Sequence, residues 1–142
     1  MSKYKKIPEK ETVEKQKPKK ILSTDELIIK SGIISFYLAS IFFVISILFN
    51  SGIVTIFMNQ NLYLDIVDIS IKTISIILFF LFLSVAVGNV EEINGKIFGW
   101  KKLTILIIIS LIQSIRNGWV FLFSSLGIII LILYLWLLQE SR

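Results

Sequence analysis

Residues 31–64 carry no charged side chain, and three further apolar stretches follow, separated by short clusters of polar and charged residues. A helix needs roughly 20 apolar residues to cross a hydrocarbon core about 30 Å thick. The pattern therefore predicts an all-α integral membrane protein. Its spans fall at about 28–50, 69–89, 101–116 and 118–138.

Local signals set the boundaries. Ser23 or Thr24 can N-cap the first helix, and Asp25 and Glu26 suit the positive end of its dipole. Asn50-Ser51-Gly52 is one exit from that helix, and Asn59-Gln60-Asn61 is another. Residues 62–69 form a short amphipathic piece. Asp65 and Asp68 share one face, with Leu62, Ile66 and Ile69 on the other. It is expected either to lie at the interface or to lead into the second span. Lys72, four residues after Asp68, can pair with it.

Residues 90–102 read as a polar loop, with Glu91 and Glu92 as solvated charges beside Asn94-Gly95, Lys96, Lys101 and Lys102. The third span is the weakest. Only Leu103–Ile115 separates Lys102 from Arg116, which as a helix is about 20 Å. The flanking cations would have to snorkel, or the bilayer thin, for it to cross. A re-entrant segment is the rival. Asn117-Gly118 is a turn signal before the fourth span.

Charge then sets orientation. Eight of the fifteen Lys and Arg lie in residues 1–20, so the net +5 describes a tail more than a domain. Residues 1–23 read as a basic, mostly disordered arm, and 24–142 as the transmembrane bundle. The arm has no leading apolar segment and is not expected to be a signal peptide. With four spans, the arm and the 90–102 loop share the lysine-rich side. The positive-inside rule puts both termini in the cytoplasm, stroma or matrix. Trp100 and Trp136 then fall at the inner interface, and Tyr63 and Trp119 at the outer one. Lys101, Lys102 and Arg116 act as further interface anchors.

Composition limits the chemistry. Hydrophobic residues make up 55% of the chain, and it has no Cys and no His. Disulfides, thiol nucleophiles and iron–sulfur ligation are excluded, together with the usual haem and zinc sites. No catalytic residue, cofactor-binding residue or metal ligand is expected. Bound lipid is expected, and a pigment held by packing or backbone carbonyls is compatible with the composition. No GxSxG, HExxH, CxxC or phosphate-loop frame occurs. No ionisable group falls near the middle of a predicted span, where proton relays and ion-coupled transporters carry theirs.

Small residues recur at intervals of four: Ser31, Ser35 and Ala39; Ser84 and Gly88; Ser110, Ser114 and Gly118. Such spacing lets helices approach closely in lipid. It serves packing within the bundle or docking of a partner. These features point to a non-catalytic accessory or assembly subunit of a larger membrane complex, partnered by other membrane subunits. A small transporter or channel, alone or as a homo-oligomer, is the alternative, lined by Ser and Thr of the first two spans. A lipid-modifying enzyme using Glu91, Glu92 or Asp65 is a third reading. The arm suits anionic lipid or an acidic protein surface. Nucleic acid is disfavoured, since Tyr4 is its only aromatic.

Overall fold

The computed structural model describes residues 23–53, 61–96 and 98–141. The N-terminal arm and the alternative exit at Asn59-Gln60 lie outside them. Four α-helices make up the fold: α1 (Thr24–Asn50), α2 (Leu62–Ile93), α3 (Trp100–Ile112) and α4 (Gly118–Glu140), with no strand among the described residues. α1, α2 and α4 over Gly118–Leu138 are long and apolar enough to cross a membrane; α3, with 13 residues, is shorter.

Each boundary has a local cause. Ser23 is the N-cap of α1, its Oγ accepting from the Glu26 N–H at 3.3 Å. The 62–69 piece is not separate: α2 runs from Asn61 as N-cap through both aspartates, with no Pro or Gly before Gly88 to break it. Asp68 pairs with Lys72 at 2.5 Å along the helix. α2 also continues past Asn89 to Ile93, into the expected loop. It ends in a Schellman motif, where the Gly95 N–H donates to Glu92 O and the Lys96 N–H to Glu91 O. Gly95 makes this closure with φ +64°, a conformation other residues rarely adopt. α3 stops at Ile112, short of the expected 116, because residues 113–116 turn. Asn117 then caps α4 through its side-chain oxygen.

α2 is the central element, with α1 against it on one side and α3 and α4 on the other. Phe42 stacks on Phe82 with centroids 5.6 Å apart, and Phe43 meets Phe79 at 5.2 Å. Asn89 Nδ2 donates to Ile28 O at 3.5 Å. As α1 numbers rise, their α2 partners fall, so the two helices run antiparallel. The opposite α2 face carries Ile76 and Phe80, which form the core with Leu106 of α3 and Val120 and Ile128 of α4. At 100° per residue, positions 75, 79, 82, 86 and 89 and positions 73, 76, 80, 84 and 91 define these two faces.

The outward surfaces are mostly apolar. Ile33, Ile34, Phe36, Ile108, Ile130 and Tyr134 are among many large exposed hydrophobic side chains. This is the reverse of a soluble bundle, whose outer faces are polar.

Candidate functional site

Two features tie α3 to the α1–α2 pair. Near its start, Lys102 forms an ion pair with Glu91 of α2. Just past its end, Arg116 Nη1 donates to the Ser51 carbonyl at 2.5 Å. α1 covers the same interval between Ile28, held by Asn89, and Ser51. At a helical rise Lys102 to Arg116 covers about 21 Å, whereas Ile28 to Ser51 covers about 35 Å.

Glu91 corrects the expectation of a solvated loop charge. It lies inside α2 and is 7% exposed, with its carboxylate engaged by Lys102. The sequence signal was hidden because the partner sits 11 residues on, across a turn. Glu92 remains exposed, and Asp65 sits in the first turn of α2, at its far end. The three carboxylates therefore do not converge. No group of three potential metal ligands occurs among the described residues.

The small residues divide by position. Ser35 and Ala39 are buried against α2, but Ser31 is exposed. Steps of four residues drift 40° each, so Ser31 turns away from the contact. The buried set is Gly32, Ser35, Ala39 and Ser46. Ser84, Ser110 and Ser114 are buried, Gly88 is half-buried, and Gly118 is exposed at the start of α4. Ser124, fully buried in α4, has bulky Val120 and Ile128 four residues to either side, so the small-residue spacing misses it. Gly127 of α4 packs directly against Ile77 of α2. A Cβ there would lie 3.0 Å from Ile77 Cγ1 and nearer still to Cδ1.

Tyr63, Trp100, Trp119 and Trp136 all project outward, with Trp119 stacked on Phe123 at 6.3 Å. Lys101 is exposed, and Lys102 and Arg116 make the two ties described above.

Two recesses open on this surface. A groove of about 680 Å³ runs between the N-terminal half of α1 and the C-terminal third of α2. Gly32 and Ala86 are buried along it, and Ile33, Phe36 and Val90 are exposed at its walls. No α3 or α4 residue lines it. A second crevice, about 420 Å³, lies between the C-terminal ends of α1 and α3, beside Arg116. Between the helices, Thr73 Oγ1, Ser84 Oγ and Ser124 Oγ are buried without hydrogen-bond partners among the described residues.

No protein-family model, curated protein or solved structure matches the chain.

Proposed function

We propose that this chain is an integral membrane protein crossing four times, and that it serves as a non-catalytic small subunit of a larger membrane complex. Three helices have the length and apolarity for crossing. Snorkelling cations at both ends of α3 make a fourth crossing feasible in a locally thinned bilayer. Lys30, Lys96, Lys101 and Lys102 gather at the end of the bundle where α1 and α3 begin. By the positive-inside rule that end faces the cytoplasm, stroma or matrix, and so do both termini.

The observation that carries the subunit reading is the α1–α2 groove. Its occupant in this reading is an apolar transmembrane helix of a partner. Gly32 and Ala86 form its buried floor, where α1 already meets α2, and the exposed apolar walls Ile33, Phe36 and Val90 offer the packing surface on which helices associate where no hydrophobic force separates helix from lipid. The test is photo-crosslinking from Ile33, in the groove, and from Ile108, on α3, in native membranes. A mild-detergent native gel with mass spectrometry of the band accompanies it. A discrete adduct from Ile33 alone, within a large assembly of fixed composition, supports the reading. A chain that migrates alone and crosslinks only to lipid removes it.

A small transporter or channel is the second reading. The unpartnered hydroxyls of Thr73, Ser84 and Ser124 favour it, because buried hydroxyls without protein partners are where water or a permeant polar species would bind. The lipid-modifying enzyme has less support, since Glu91 is held by Lys102 and Asp65 lies at the opposite end of α2.

A further inference from the structure

The crevice beside Arg116 combines a cation with apolar walls. Arg116 carries five N–H donors, and the one hydrogen bond it makes among the described residues is to Ser51 O. Neither ion pair among the described residues includes it. Ile47, Ile112 and Ile115 line the same crevice and are exposed, and Gln113 Oε1 beside them has no hydrogen-bond partner among the described residues. A guanidinium left with free donors recognises phosphate oxygens in a forked, charge-assisted geometry. The volume is on the order of ten times the share of one water in the liquid. A bare anion would fill little of it and would leave the isoleucines uncovered. The fitting ligand therefore has a phosphate and an apolar tail.

We propose that the crevice between the C-terminal ends of α1 and α3 seats one phospholipid, with its phosphate on Arg116 and an acyl chain against Ile47, Ile112 and Ile115. This rests on the membrane-spanning reading, under which the lipid belongs to the non-cytoplasmic leaflet. The short α3 favours the contact, because it draws the headgroup plane toward Arg116. The seated lipid fills a gap that the described residues leave between α1 and α3.

The test uses the full chain in mild detergent with added dioleoylphosphatidylglycerol, and native mass spectrometry to count retained lipids. Wild type is expected to hold one phospholipid. Arg116→Gln should weaken retention about tenfold or more, as loss of a charge-assisted contact implies. Arg116→Gln also breaks the tie to Ser51, so a second variant guards against misfolding. Ile112→Trp fills the crevice with Arg116 in place and should expel the lipid while the helical circular dichroism is unchanged. Equal retention in wild type and both variants overturns the site. So does full displacement of the lipid by inorganic phosphate, which would mark a free-anion site. Alkaline carbonate extraction separates the two levels of the argument. A chain that stays in the membrane yet retains no lipid overturns the crevice alone. A chain that washes out overturns the membrane reading beneath it.

Discussion

Arg116 Nη1 lies 2.5 Å from the carbonyl oxygen of Ser51, across 65 positions of chain. α1 has no basic residue in its last turn, so its carbonyl end lacks a charge partner of its own. The guanidinium from the α3–α4 turn supplies one. Arg116→Met should lower stability by about 1 kcal/mol, the scale of a partly exposed cation at a helix C-terminus. Arg116→Lys should retain part of it. Thermal melts in nanodiscs measure both, and identical melting of Arg116→Met and wild type would show that the contact contributes nothing.

The other end of α3 is held by Lys102 and Glu91. Lys102 is half exposed but Glu91 is not, so removing the lysine leaves a buried carboxylate without its ion-pair partner. Lys102→Met should cost about 1–3 kcal/mol. Adding Glu91→Gln should recover much of that, because the amide leaves no charge to compensate. If the double variant melts below Lys102→Met, the pair is not the reason Glu91 tolerates burial.

How much of this arrangement could be read in advance differs from helix to helix. The existence and order of four helices follow from where charges interrupt apolar runs, a local property. The fate of Glu91 does not, because Glu91-Glu92-Ile93-Asn94-Gly95 has the composition of a loop, and within it only Glu91 is buried, paired with a Lys102 that lies beyond the turn. On α1 a spacing of four picked out Ser35 and Ala39 but took Ser31 for the contact where Gly32 makes it. A helix that is apolar all round gives no periodic signal to say which side meets a neighbour. The α3–α4 turn was legible in Asn117-Gly118, whereas the reach of Arg116 to Ser51 is a tertiary fact.

The correction on α1 is directly testable. Ala39 is 1% exposed against α2, so Ala39→Leu overpacks the contact and should cost about 1–3 kcal/mol. Ser31 faces outward, and Ser31→Leu should change stability by no more than about 0.5 kcal/mol. Denaturant titration in mixed micelles compares them. Equal losses would mean that Ser31 belongs to the α1–α2 contact after all.

Gly127 poses a similar test on α4. Gly127→Ala brings a Cβ onto the end of the Ile77 side chain, which can rotate, while gaining up to about 1 kcal/mol of helix propensity. The two effects should nearly cancel. Gly127→Leu cannot be absorbed this way and should separate α4 from α2 at a cost of about 1–3 kcal/mol. Loss of stability in the leucine variant alone, read by the same titration, is the expected result. A leucine variant as stable as wild type would place the α2–α4 contact elsewhere.

Thr73 distinguishes the two leading functional readings. Its hydroxyl is buried without a partner among the described residues, and a valine of nearly the same shape removes an unmet donor and acceptor. In a packed, non-conducting subunit Thr73→Val should therefore stabilise the bundle by about 1 kcal/mol and leave partner retention unchanged. In a channel or transporter the same hydroxyl meets water or substrate, and valine would abolish liposome flux while gaining no stability. Melting and flux measured on one preparation decide between them. A more stable variant with no flux in wild type at any potential leaves the subunit reading standing. Flux in wild type that disappears with Thr73→Val replaces it.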